Sequence, residues 1–190
     1  MIDVLEIKDF LDAAMREEIV SELRPASGVS ATVYGKEEAG AVDPRIRKAT
    51  RLAVSPETRE RVMGQLLDRK SEIGGHFGIT LGECEEPQFL RYKTDDFFVA
   101  HQDGNTPLIH DDSRFRKISI IILLSPQSSE ASTDTYGGGA LVFHGPFPNY
   151  DFRLSVVADP GTLVAFRSET THEVVPVTHG ERYSIASWYR

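Results

Sequence analysis

The pattern of the chain changes at Pro87, and that change limits the folds open to it. Beyond Pro87 come short runs rich in aromatic and β-branched residues, such as Pro87 to Tyr92, Phe97 to Ala100 and Ile118 to Leu124, separated by Gly, Pro and polar turns. Strands this short and this regularly interrupted bury their apolar faces by pairing in two facing sheets, so residues 87–190 read as a jelly roll, the double-stranded β-helix. Before Pro87 the period is helical. Leu11, Met15, Ile19 and Leu23 recur every four residues and predict an amphipathic helix from Asp9. Ser55-Pro56-Glu57 is a start signal, with Ser as cap and Pro in the first turn. The helix it opens carries Val62, Leu66 and Leu67 inward and stops near Gly74-Gly75. The expected class is therefore mainly β with supporting N-terminal helices (α+β), with residues 1–86 mostly helical support. A chain of 190 residues can bury one substantial core and shows no linker, repeat or break in composition, so one domain over residues 1–190 is expected.

Composition excludes several classes of function. The formal net charge is −8, and the basic residues are dispersed as well as outnumbered, which disfavours a nucleic-acid backbone as partner. The longest apolar stretch, Ile118 to Leu124, is far too short to span a bilayer, so no membrane partner is expected. Cys84 has no second cysteine to pair with, and the start Met1-Ile2-Asp3-Val4-Leu5-Glu6 lacks a basic region and an apolar core. A reducing, cytoplasmic location fits both. The oligomeric state is not legible.

His101-Gln102-Asp103 carries the chemistry. Residues at i and i+2 on a strand point to one face, so His101 and Asp103 can grip one metal from a single stretch of backbone, and a remote His172 completes a facial triad. Two imidazoles and one carboxylate hold an octahedral Fe(II) on one side and leave three positions for substrate, co-substrate and O2. Downstream, Arg182 re-enters on a predicted strand after His172 to Val177 and the turn Thr178-His179-Gly180. A buried arginine there needs an anion, and its planar fork suits a carboxylate, as in a 2-oxoglutarate site. The other histidines read differently: His110-Asp111-Asp112 as a solvated loop, His76 as a helix end, His144 and His179 as turn residues. Two polar segments, 104–115 directly after Asp103 and 126–139 without apolar period, are candidate lids.

These pieces occur in a familiar order. Tyr92 lies nine residues before His101; Lys117-Ile118-Ser119-Ile120 opens the long apolar strand; Gly138-Gly139-Ala140-Leu141-Val142-Phe143 and Asp159-Pro160-Gly161-Thr162-Leu163-Val164-Ala165-Phe166 follow; Arg182-Tyr183-Ser184-Ile185-Ala186-Ser187-Trp188-Tyr189 closes. Residues 87–190 thus resemble the catalytic core of prolyl-4-hydroxylase-like Fe(II)/2-oxoglutarate oxygenases. The resemblance implies Fe(II) on His101, Asp103 and His172; 2-oxoglutarate on Arg182, helped by Tyr92 and Ser184; O2 as second co-substrate; and compatibility with ascorbate as reductant. It implies hydroxylation of an unactivated C–H bond with succinate and CO2 as co-products. Asp103 argues against halogenation, because halogenases of this superfamily have a small residue there. The chain departs from the family at Leu123-Leu124-Ser125, where prolyl hydroxylases often carry Tyr-Leu-Asn, so one hydroxyl that holds the co-substrate is missing. Phe98, Gln102, Arg116 and Trp188, with Arg114 and Phe166, are candidate substrate residues, and Trp188 reads equally as core packing. They suit a prolyl residue of a peptide or a proline-like small molecule, and also a free amino acid or other metabolite. A catalytically silent metal-binding sensor and a cupin-like metalloenzyme without 2-oxoglutarate are the rivals of other classes.

Overall fold

A computed structural model of the chain describes residues 2–34, 39–107, 109–146 and 151–190. Leu108, inside the first predicted lid, and Met1 lie outside the described residues. The first part of the chain runs β1 (Val4–Ile7), α1 (Ala13–Leu23), β2 (Gly28–Ser30), β3 (Val33–Tyr34), β4 (Ala39–Ala41), β5 (Arg47–Lys48), β6 (Thr50–Leu52) and α2 (Pro56–Phe77). Then follow β7 (Gln88–Tyr92), β8 (Phe97–His101), a 3-10 turn (Asp112–Phe115), β9 (Ile118–Leu123), β10 (Gly137–Gly138) and β11 (Leu141–His144). The chain closes with β12 (Arg153–Ser155), β13 (Leu163–Arg167), β14 (His172–Val174), β15 (Val177–His179) and β16 (Arg182–Tyr189).

Two antiparallel sheets face each other. The larger has the order β1-β13-β9-β16-β7-β6-β2, the smaller β12-β11-β14-β8-β5, as the jelly-roll pattern predicts. The N-terminal part holds more than helices, however. β1 pairs with β13, while β6 and β2 extend the large sheet beyond β7 and β5 extends the small one beyond β8. These strands are two to four residues long, too short to show the alternation from which a strand is read in sequence.

Both helices pack on the outer face of the large sheet. Asp12 caps α1 by accepting from the Met15 backbone N–H at 2.8 Å, so the helix begins after Asp12 and not at Asp9; Leu11 is buried ahead of it. Ser55 caps α2 and accepts from the Thr58 N–H. α2 does not stop at Gly74-Gly75. It runs on to Phe77 and ends on Gly78 in the left-handed conformation, φ 64°. Gly74 serves packing instead, because a Cβ there would lie 2.8 Å from the Ile79 carbonyl oxygen. Val62 and Leu66 are buried as expected, but Leu67, about 100° further round the helix, is 50% exposed.

Alternation along two central strands separates core from cavity. On β9, Ile118, Ile120 and Ile122 join Met15, Ile19, Leu66 and Ile73 in the core beneath the helices. Each such side chain contributes about 1.5–3 kcal/mol when fully buried. Tyr183, Ile185 and Tyr189 of β16 do the same, which leaves Arg182, Ser184, Ala186 and Trp188 on the face that lines a cavity between the sheets.

Two local expectations need correction. The run His172 to Val177 is two strands and not one: Pro176, which cannot donate to a ladder, marks the break, and β15 turns away to pair with β10. His179 is accordingly a strand residue, and the turn is at Gly180, φ 71°. The segment 126–139, polar and without period, is tied by two backbone hydrogen bonds, from Ser128 to Tyr136 and from Tyr136 to Pro126, and Tyr136 is buried.

Candidate active site

His101 ends β8, and His172 begins β14, paired directly opposite it. Register therefore brings together two residues 71 positions apart in sequence. Asp103 follows two residues after His101, held by its backbone N–H, which donates to the Ser168 carbonyl at 2.9 Å. One donor atom from each of His101, Asp103 and His172 lies within 4.8 Å of the other two.

The orientation of each ring follows from its second nitrogen. His101 Nδ1 lies 2.8 Å from the Val99 carbonyl oxygen and His172 Nδ1 2.9 Å from that of Thr170. A carbonyl only accepts, so both Nδ1 atoms carry a proton and both Nε2 atoms face the carboxylate. His101 Nε2 is 3.3 Å from Asp103 Oδ1, and His172 Nε2 is 3.5 Å from Oδ2. Burial first, and then His101, hold His172 down to about 4, so it is neutral at pH 7. Burial alone would raise the Asp103 pKa, but His172 and the hydrogen bonding outweigh it and hold the carboxyl well below its ordinary value. Two ring nitrogens and one carboxylate thus converge at the inner end of the cavity. This donor set fits a hard or borderline cation such as Fe(II).

The carboxylate is aimed by two groups. Ser119 Oγ donates to Asp103 Oδ2 at 2.7 Å, and Trp188 Nε1 donates to the same oxygen at 3.0 Å. Sequence reasoning missed Ser119. Its signal was a lone hydroxyl in the apolar run from Ile118 to Leu124, at the position whose side chain faces inward. Trp188 reads in sequence as a pocket wall or as core; it lines the cavity and also orients Asp103.

Arg182 lies deeper along the same cavity, 2% exposed. Its NH1 donates to Ser184 Oγ at 2.8 Å, its guanidinium carbon sits 5.2 Å from the centre of the Tyr92 ring, and its Nε is buried without a partner among the described residues. No carboxylate is within ion-pair distance of it among the described residues. Tyr92 pairs with Arg182 across β7 and β16, so the residues expected at the co-substrate, Arg182, Tyr92 and Ser184, are brought together. Gly139, at φ 59°, leaves room for this side chain; a Cβ there would come within 3.1 Å of Arg182 Cδ.

The expected substrate residues divide. Phe98 stacks on His101, 3.5 Å between ring centres, and lines the cavity. Gln102 lines it too, with its Nε2 donating to the Glu169 carbonyl at 2.7 Å. Arg116 reaches the cavity over the Trp188 ring, but its fork is matched by both oxygens of Glu85 at 3.0 and 2.7 Å. Arg114 stacks on exposed Phe115 and does not line the cavity. Phe166 is fully buried behind His172, 4.7 Å from its ring centre. His144 belongs to a strand and not a turn, and its Nε2 lies 3.1 Å from Glu173 Oε1.

Residues 87–190 match the family described as the 2OG-Fe(II) oxygenase superfamily. A PKHD-type hydroxylase of Cupriavidus pinatubonensis is 32% identical over 104 residues, which cover 54% of this chain and 41% of that protein. Another, from Nitrosomonas eutropha, is 27% identical over 178 residues, covering 90% of this chain and 73% of that one. Among solved structures, a Pseudomonas putida prolyl-4-hydroxylase superposes with a TM-score of 0.74 at 23% identity, over 100% of this chain and 94% of its own. A Trichoplax adhaerens prolyl hydroxylase in complex with a hypoxia inducible factor peptide fragment gives 0.75 at 17%, over 98% and 83%. At these identities the structural likeness concerns the fold. No helix of the described residues is long and apolar enough to cross a membrane.

Proposed function

This chain belongs to the 2OG-Fe(II) oxygenase superfamily, and from that membership we propose that it hydroxylates an unactivated C–H bond of a prolyl residue or proline-like substrate. The observation that carries the reading is the pairing, within one cavity, of a cation site and an anion site: the three converging donor atoms of His101, Asp103 and His172, and the unmatched guanidinium of Arg182. Neither site is satisfied by the protein itself. The co-substrates of the family, Fe(II) and 2-oxoglutarate, carry the complementary charges.

In this reading His101, Asp103 and His172 hold iron, and Arg182 takes the far carboxylate of 2-oxoglutarate. Bound iron supplies the redox chemistry that couples oxidation of 2-oxoglutarate to succinate and CO2 with oxygen insertion into a C–H bond. The protein places the partners and keeps water out. Ser184 fixes the plane of the Arg182 fork by accepting from NH1, and the Tyr92 ring lies against the guanidinium. Leu90, Ile121, Leu141 and Val174 give the cavity apolar walls between the two sites. Phe98 and Trp188 flank the metal side, where the substrate enters.

Prolyl specificity is supported by the structural relatives, which are prolyl hydroxylases, and by these aromatic walls, which suit a flat, apolar ring. Anaerobic titration with Fe(II) and 2-oxoglutarate, followed by a mass-spectrometric screen of prolyl peptides, proline and related metabolites, is the test. A gain of one oxygen with stoichiometric succinate is expected. Failure to bind 2-oxoglutarate in the presence of metal would overturn the reading.

A further inference from the structure

The cavity contains a second buried arginine that the reading above does not use. Arg47, on β5 at the edge of the small sheet, is 9% exposed and lines the cavity together with His101 and His172. It is paired in register with Phe98, and its guanidinium carbon lies 4.7 Å from the centre of the Phe98 ring. Phe98 in turn stacks on the ligand His101. The charge is therefore one aromatic ring away from the metal site.

The hydrogen-bonding state of Arg47 sets it apart from its neighbours. NH1 donates to the Thr32 carbonyl at 3.0 Å, while Nε is buried and has no partner among the described residues. No carboxylate among the described residues is within ion-pair distance of it. Arg116, equally buried in the same cavity, has both Glu85 oxygens. A guanidinium with an unmade buried donor carries a cost that a native site offsets with an anion. Arg182 meets that description as the co-substrate anchor. Arg47 meets it again on the metal side of the cavity, and with the far carboxylate of 2-oxoglutarate assigned to Arg182 and its other carboxylate to the metal, a further anion is left for Arg47.

We propose that Arg47 is a specificity-determining residue that binds a carboxylate of the substrate, so that the group hydroxylated is part of a carboxylic acid: a free amino acid or a C-terminal residue, not an internal residue of a peptide. This rests on the assignment of Arg182 to 2-oxoglutarate. The aromatic face of Phe98 places the apolar part of such an acid beside the metal while the guanidinium holds its charged end.

The test uses protein loaded with Mn(II) and 2-oxoglutarate, which bind without turnover, and four probes: L-proline, L-prolinamide, the dipeptide Ala-Pro and its C-terminal amide. Calorimetric titration should show at least one acid bound about thirtyfold or more tightly than its amide, the loss expected when a buried charge pair is truncated on one side. Arg47→Met should abolish the acid preference and leave the affinity for 2-oxoglutarate within about twofold of wild type. Arg47→Lys, which keeps charge but not the fork, guards against misfolding and should keep part of the preference. L-proline binding without Ala-Pro binding would assign the carboxylate to a free amino acid, and the reverse to a chain end. Amides that bind as well as acids, or no acid bound by the loaded wild type, would overturn the proposal. So would an Arg47→Met variant whose loss is in 2-oxoglutarate. Wild type that fails to bind 2-oxoglutarate at all would instead refute the function proposed above.

Discussion

Replacing Trp188 by phenylalanine removes one N–H and keeps an aromatic wall. In the native protein that N–H donates to Asp103 Oδ2 at 3.0 Å, alongside Ser119 Oγ at 2.7 Å. A hydrogen bond to a charged group contributes about 1.5–3 kcal/mol. Ser119 remains in the variant, so the low end applies, about 1.5 kcal/mol or roughly tenfold. The donors aim the carboxylate at the two Nε2 atoms, so the loss should fall on metal affinity, where such supporting contacts are worth about 10–100-fold. Titration of metal-free protein with Mn(II), monitored by the resonance signal of the free ion, should show about tenfold weaker binding in Trp188→Phe. The affinity of the loaded variant for 2-oxoglutarate should change little, because Arg182 is untouched. Ser119→Ala should act in the same direction, and the double variant should depart from additivity because the two donors share one oxygen. Wild-type Mn(II) affinity in Trp188→Phe would refute this reasoning and leave Trp188 as a wall of the cavity only.

Alanine at His101, Asp103 or His172 should abolish both Mn(II) binding and turnover, whereas His110→Ala should retain both; full metal binding by the Asp103 variant would count against the triad. Arg182→Ala should weaken 2-oxoglutarate binding by about thirtyfold or more, with metal affinity nearly unchanged, as measured by anaerobic titration. The metal-free protein should lose stability on mild acidification: His172 is held down to about 4 in the folded state, while the unfolded chain takes up its proton near an ordinary value of about 6.5. Stability from this group is complete above that value and falls as pH drops toward 4, by at most about 3 kcal/mol. Melting temperatures between about pH 7.5 and 4.5 should show a shallower decline in His172→Phe than in wild type, and equal slopes would refute the linkage.

What was legible in sequence was whatever one stretch of backbone decides by itself. His101 and Asp103 share a face because they are two apart next to a strand, Ser55 announces a helix because capping is local, and the inward set Arg182, Ser184, Ala186 and Trp188 follows from period two along a single strand. Residues whose roles come from register with a distant strand were legible where the ordered family motifs carried them, as for His172 and Tyr92, and not elsewhere. Nothing in Arg45-Ile46-Arg47-Lys48 distinguishes the buried arginine from the exposed one: Arg45 pairs with Asp43 at the surface, and Arg47 is buried only because two residues of edge strand align with Phe97 and Phe98. Ser119 likewise gains its role when β9, between β13 and β16, turns its odd-numbered face toward Asp103. The distinction has a consequence for the site. Arg182 sits on the eight-residue β16, which is paired on both sides, and His101 and His172 face each other across two strands inside the small sheet. Arg47, like Thr32 and Val33, is contributed by short strands and connections of the N-terminal part, each held by a few backbone hydrogen bonds. The residue proposed to read the substrate therefore depends on a two-residue edge pairing, whereas the co-substrate anchor is held by ladders on both sides.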